Sequence, residues 1–585
     1  MTLQEIILRL HDRSREILDH LPDDSPLASH LRGNLPSLTL AKSVLEKVRL
    51  HQTRPDHPLQ LVVLGPTQSG KSTIVNLLMD QEAAGVSPLA GYTIHPQVFL
   101  YGVERAQAEW LKDYFPGQQQ LPVADLPRDH FDCIGVEFVQ RPASSFLSPS
   151  MVWDTPDFDS ITANHYRDNV IRTAALADVL LIVVSKDKYA DESVWEMLQL
   201  LEPLEQPTLV CINKVRPSNR ETLLHSWQEK WQRYRNDPPP PVVTLEYMQA
   251  LDLLKESGHQ LLARHVPPVV EKADRKRLQG QIKKLARKHW PAWTEPLRAE
   301  IQAQEAWRKL VDKTLEQALE IYRHDYLDHP YAYETFQRAL AELLILLEVP
   351  GLAKPMMYFR KAITWPIRAL FKRKPKRTGE NIQELVILQN AVEHALLQLQ
   401  QATQENSQAQ ATLAQWWQAL ANHLRQRQEE WKQQFQSAVE TYYQDFQPQV
   451  EAAAKELYHK LEEMPATLNS LRATRVTADA AALAVVFHTG GIGPQDFVLA
   501  PAVLSITSLL TESALGKYLD RVAEKLKKAQ LQSVRELLER QLQQPLEALP
   551  QYMHANTAFG IDSEDLEAAE KEIQEKPYGL KSFFQ

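Results

Sequence analysis

The run Gly65-Pro66-Thr67-Gln68-Ser69-Gly70-Lys71-Ser72 has the residue types and spacing that hold a chain of phosphates. Its two glycines let the backbone curl until several N–H groups face one anion, and a helix starting at the loop adds its positive end. Lys71 reaches the outer phosphates, and the Ser72 hydroxyl is a ligand for Mg2+. The flanks agree, with apolar LQLVVL before the loop and amphipathic STIVNLLMD after it. Residues Gly65 through Thr73 are therefore predicted to bind a nucleoside phosphate. A Gly/Ser loop met by chance is the alternative, and the strand and helix on either side weigh against it.

Three further stretches carry candidate chemistry. MVWDTPDFDS ends an apolar run on Asp154, at the carboxyl end of a strand, where open α/β sheets bind ligands. There Asp154 is placed to hold Mg2+ through water. GVSPLAGYTIHP supplies Thr93, with a plain loop as the competing reading. PTLVCINKVR ends a strand on Asn213-Lys214-Val215-Arg216.

Taken together, roughly residues 59–250 resemble the P-loop GTPases of the translation-factor class, and within it the bacterial Era/septin-like and dynamin-like groups. The resemblance implies GTP or GDP as the bound nucleotide, Mg2+ as its metal and hydrolysis as the activity. It aligns Asp154 with the aspartate of D-x-x-G, but Asp157 stands where a glycine usually offers its N–H to the γ-phosphate. Thr93-Ile-His-Pro96 is similar to the T-x-x-P of dynamin-like proteins, which makes Thr93 the threonine that completes the Mg2+ shell beside Ser72 and Asp154.

Asn213-Lys214 matches the start of N-K-x-D. Asn213 would brace the phosphate loop and Lys214 would lie along the base. Arg216 replaces the aspartate that accepts hydrogen bonds from guanine, and a guanidinium has donors only. Guanine preference thus rests on the resemblance while its usual specificity residue is missing. Glu246, in VVTLEY, is a nearby carboxylate that could substitute. No glutamine follows Asp157; Phe158 and Asp159 do. In dynamin-like proteins the third and fourth loop positions help orient water, so Gln68 joins Lys71 and Thr93 as the expected catalytic set. Slow turnover raised by self-assembly, with a homodimer through this domain, is what the resemblance implies.

The elements that must position these residues follow from patterning. Short apolar runs at LQLVVLG, MVWD, DVLLIVVS and PTLVCIN alternate with helical stretches, as a buried, mostly parallel sheet requires. VVTLEY reads as a last strand after the stiff connector NDPPPP. Before the sheet, Ile6, Ile7, Leu10, Ile17 and Leu18 form a helical stripe, broken at Pro22 and Pro26, and Leu40, Val44, Leu45 and Val48 form a second. After it the chain reads almost wholly helical, with Leu385, Leu388, Val392, Leu396 and Leu399 at threes and fours. The predicted organisation is a helical leader over 1–56, an α/β P-loop GTPase domain over 57–250 and a helical bundle over 251–585. The leader is too short to bury its stripe alone and is expected to pack on C-terminal helices.

A chain of 585 residues is too long for one core. The balance of 65 Lys+Arg against 74 Asp+Glu gives −9, which argues against general nucleic-acid binding while leaving local basic patches open. Cys133 and Cys211 sit in apolar runs without metal-ligand spacing, so no disulfide framework is expected and a reducing cytosol fits. No run reaches ~18 uninterrupted apolar residues, so membrane contact, at the inner face of the cell membrane, would be peripheral.

Two segments stand out in the helical part. Residues 349–377 hold nine basic residues and no acid, interleaved with Met356, Met357, Tyr358, Phe359, Trp365 and Phe371. Basic charge beside large apolar groups suits an anionic membrane surface. A core stripe with a solvated face, or a nucleic-acid contact, are the competing readings. Residues 477–519 form two apolar arms about Gly490-Gly491-Ile492-Gly493-Pro494, read as a helical hairpin inside the bundle in preference to insertion into one leaflet. An Era/septin-like switch that binds a protein, ribosome or RNA remains the alternative function, and an ATPase a third.

Overall fold

Helix α1 (Leu3–Leu18) opens with a capping box, Thr2 and Glu5 each accepting from the other's backbone N–H. Its stripe of Ile6, Ile7, Leu10 and Ile17 is fully buried. Helix α2 (Pro26–Thr53) starts on a proline, whose missing N–H would have had no partner in a first turn. This computed structural model describes residues 1–86, 93–159, 163–246, 251–329, 333–347, 383–409, 413–473, 515–553 and 559–574. The basic segment 349–377 and residues 477–514 of the apolar hairpin lie outside them.

The chain divides into two compact units, Met1–Ile301 with Ala558–Gln585, and Gln302–Thr557. The first is built on an eight-stranded sheet: β1 (Leu59–Leu64), β2 (Gln97–Tyr101), β3 (Gln119–Leu121), β4 (Cys133–Val139), β5 (Ser150–Asp154), β6 (Val179–Ser185), β7 (Thr208–Val215) and β8 (Val242–Glu246). Its order is β3-β4-β2-β5-β1-β6-β7-β8, and only the β2–β5 pair is antiparallel. The central strands are apolar on both faces because both are covered. Val62, Leu64, Leu180 and Ile182 join one core, while Leu61, Val63, Leu181 and Val183 join the other.

Strand β1 lies between β5 and β6, so the order reverses beside it and a crevice opens at its carboxyl end. Helix α3 (Lys71–Met79) begins there. The register pairs Val63 with Asp154 and Leu64 with Ile182, which sets the ends of β5 and β6 alongside the loop that leaves β1. Helix Leu251–His265 covers α3, with His259 Nδ1 2.8 Å from the Leu77 carbonyl oxygen.

At the amino ends of β1 and β6 the leader is tied to the sheet. Asp178 accepts the Gln60 N–H at 3.1 Å and pairs with Lys47 of α2 at 3.1 Å and with Arg275. Lys47 also donates to the Ala177 carbonyl at 2.7 Å, and Arg275 to the carbonyls of His57 and Pro58. Burial works against the Asp178 charge, yet Lys47 and Arg275 hold its pKa down to about 2. The leader packs on helix Ala163–Leu176, on the Leu278–Ile301 part of a long helix through the Trp293–Ser37 bond, and on helix Ser563–Gln574.

In the second unit, helices Glu334–Leu346, Gln383–Ala409, Ala414–Glu462, Pro465–Ala473 and Gly516–Leu538 surround a core that includes Trp307, Leu388, Val392, Trp417 and Phe435. Inside it the buried Glu384 carboxylate accepts from Tyr322 (2.7 Å), Tyr442 (3.2 Å), Tyr443 (2.7 Å) and Gln530 (2.8 Å). No described helix is long and apolar enough to cross a membrane.

Candidate functional site

The loop from Gly65 to Gly70 begins and ends at positions where a side chain has no room. A Cβ on Gly65 would stand 2.0 Å from the Val183 carbonyl oxygen, which belongs to the neighbouring strand β6. Gly70 has φ +97° in the left-handed region, and a Cβ there would lie 2.3 Å from Asn213 Nδ2. Asn213, near the end of β7, donates that amide to the Ser69 carbonyl at 3.0 Å and so braces the loop. Lys214 crosses to the same loop, its ammonium 2.8 Å from the Gln68 carbonyl. Its backbone is left-handed, φ +59°, at a bulge in the β7–β8 pairing between Ile212 and Val215. Bulges of this kind re-aim side chains beside sites.

On the other side of the loop stand the acids that follow β5. Asp154 is fully buried, and its Oδ2 accepts the Ser72 hydroxyl at 2.6 Å. Burial pushes its pKa up to about 6; Lys71 and the Ser72 bond work against this, and the charge of Asp157 adds to it. Its second oxygen, Oδ1, is buried with no hydrogen-bond partner among the described residues. An unsatisfied carboxylate oxygen next to a serine hydroxyl is a hard oxygen set, which suits Mg2+. Thr155 secures the strand end by donating to the Val63 carbonyl at 2.8 Å.

Asp157 is buried and forms an ion pair with Lys71, which also donates to the Pro66 carbonyl at 3.2 Å. Asp159 accepts both the N–H and the hydroxyl of Thr67 at 2.6 Å, and Lys188 at 3.2 Å. Burial would raise the Asp159 pKa, but the two Thr67 bonds and Lys188 hold it below the usual carboxylate range.

One bonded set therefore contains Thr67, Ser69, Lys71, Ser72, Asp154, Asn213 and Lys214. Gln68 is exposed in the loop with φ +58°. Thr93 is buried four residues before Gln97, the residue paired with Asp154 across the β2–β5 register. Arg216 is exposed beyond β7, and Glu246 is exposed opposite Val215 in β8. The roles of Asp159 and Lys188 had no signal in the sequence. They meet across 29 residues; Asp159 falls just after the D-x-x-G-like stretch, and Lys188 lies in no motif.

A parallel-sheet crevice holding a glycine-bounded loop, a serine hydroxyl bonded to a buried aspartate and a bracing asparagine has the make-up of a nucleotide-binding P-loop domain. A family profile described as 50S ribosome-binding GTPase matches residues 60–214, and the chain carries a P-loop GTPase domain over this region. No curated protein matches the chain. Among solved structures, it is similar to one described as an oligomerised bacterial dynamin pair for long-range sensing and tethering of membranes. Identity there is 13%, coverage is 93% of this chain and 95% of that one, and the TM-score is 0.31. A second structure of the same description matches at 12% identity, 94% and 82% coverage and TM-score 0.23. With scores this low, neither likeness bears on how the chain is arranged or what it does.

Proposed function

We propose that the protein binds and slowly hydrolyses GTP and works as a dynamin-like switch at an anionic membrane surface. The observation that carries the nucleotide reading is the loop itself, with Lys71 at its end, Ser72 bonded to Asp154 and Asn213 bracing its backbone. Ser72 and Asp154 would hold Mg2+, with Thr93 as the third ligand. When bound, the ion neutralises charge on the phosphate oxygens. Apart from Pro66, which has no N–H, residues Gly65 to Thr73 cradle the phosphates through their N–H groups, and Lys71 supplies the fixed positive charge. Gln68, exposed in the loop, orients water. Asn213 and Lys214 fix the loop against the base side of the crevice.

The membrane part of the proposal is supported by the nine basic and no acidic residues of 349–377 in a chain of net charge −9. At about 1 kcal/mol per basic residue near an acidic leaflet, half of them suffice for reversible binding. The homodimer through the GTPase domain is part of the same proposal.

Steady-state hydrolysis of GTP, with ATP as control and with or without anionic liposomes, tests this reading. The expected outcome is turnover of GTP alone, raised by liposomes. Lys71→Ala should lower it by about 100-fold, the scale of losing a charge aimed at the transition state. A Lys71→Ala protein with the parent rate would remove the site assignment. A rate indifferent to lipid would favour a regulatory switch with a protein or RNA partner, and ATP preference would overturn the guanine reading.

A further inference from the structure

The acids after β5 occupy groups that a nucleotide needs. Lys71 is the loop's cation, and it is paired with Asp157. The Thr67 N–H is one of the loop's anion donors, and it is given to Asp159 at 2.6 Å. Both carboxylates belong to one three-residue segment, and both are largely shielded from water, at 8% and 7% side-chain exposure. Asp159 is held a second time by Lys188. A phosphate oxygen and a carboxylate oxygen make the same charge-assisted bonds to an ammonium or an N–H, so the two compete for these donors.

We propose that residues 157–159 are a built-in phosphate surrogate that latches the nucleotide site shut, and that a nucleoside diphosphate enters only after Asp157 has left Lys71. This rests on the GTPase reading of the same site. The placement gives meaning to the aspartate that replaces a glycine at position 157. A glycine would leave Lys71 unopposed, whereas the carboxylate gives Lys71 an ion pair within the chain. Lys188 and Thr67 hold the far end of the segment, so the latch has two points of attachment. A site populated mostly in the latched state binds with an affinity reduced by the fraction that is open. That reduction falls on the association rate, because the bound state no longer contains the latch.

The test is stopped-flow binding of fluorescently labelled GDP to the full-length parent, to Asp157→Asn and to Asp159→Asn, with far-UV circular dichroism to verify that each is folded. Asp157→Asn should associate faster by about tenfold with a dissociation rate within about twofold of the parent. Asp159→Asn should shift in the same direction by less. If the parent binds GDP and a folded Asp157→Asn protein associates no faster, the latch is wrong and the GTPase reading stands. If Asp157→Asn does not fold, Asp159→Asn decides, an unchanged association rate overturning the latch. If neither parent nor variants bind GDP, both the latch and the nucleotide reading fall.

Discussion

The two glycines of the phosphate loop are set by contacts that leave no room for a side chain. A methyl group on Gly70 would meet the Asn213 amide at 2.3 Å in a backbone region that L side chains avoid. The amide that would move is the one that braces Ser69. Gly70→Ala is therefore expected to weaken GDP binding by more than about tenfold, a loss of ~1.4 kcal/mol. Its thermal midpoint should fall by only a few degrees, because left-handed backbone strain of about 1–2 kcal/mol is added while the sheet and its cores are untouched. Calorimetric titration with GDP beside a thermal melt checks both, and unchanged affinity would show that the loop relaxes freely. Lys214 shows the opposite device, a non-glycine residue held at positive φ by Asn213 Oδ1 on its N–H and by Gln68 on its ammonium. Backbone strain of this kind persists where surrounding bonds over-determine it.

At the scale of elements, two buried polar knots define how pieces join. Asp178 bridges α2, the start of β1 and Arg275, and both Asp178 and Lys47 have side chains at most 4% exposed. Replacing Asp178 by Asn leaves Lys47 buried with its charge uncompensated. That should cost about 3–5 kcal/mol, the range for breaking a buried pair. Urea unfolding of the first unit, followed by tryptophan fluorescence, would register the loss; a midpoint equal to the parent's would mean that Lys47 finds water. In the second unit Glu384 gathers three tyrosine hydroxyls and the Gln530 amide. Burial drives the pKa of Tyr322, Tyr442 and Tyr443 well above the ordinary value, and the Glu384 charge adds to it. They are therefore neutral donors to the carboxylate. Glu384→Ala strands these donors without an acceptor and should destabilise by several kcal/mol, at about 1–3 kcal/mol per unmatched buried group.

For the whole molecule, pH offers a test with a defined sign. Burial lowers the pKa of His11, His57 and His289 from 6.5 to about 4. Between those values the unfolded chain binds protons that the folded one refuses, so stability is full above 6.5 and is lost as pH falls toward 4. Asp154 acts in the opposite direction: with its pKa raised from 3.8 to about 6, it lends stability that fades as pH rises through that window. Three groups outweigh one, so the urea midpoint should fall from pH 7.5 to pH 5. His289→Phe, which keeps a ring against Trp293, should flatten the slope. An unchanged slope would assign the pH dependence to other groups.

What could be read along the chain was local. The phosphate loop lies within eight consecutive residues, and β1, β5, β6 and β7 each hold a short apolar run, so a P-loop domain with a mostly parallel sheet followed from the sequence. The polar, three-residue β3 carries no periodic signal and owes its strand form to pairing with β4. Tertiary structure alone decided the partners of charged groups. Lys71 meets Asp157 across 86 residues, Lys47 meets the Ala177 carbonyl across 130, and Tyr322 meets Glu384 across 62. A charge pattern in one dimension does not say which opposite charge is nearest once the chain has folded. Thus the motif announced that a phosphate can be held, and only the fold showed that an aspartate of the same chain already holds the lysine.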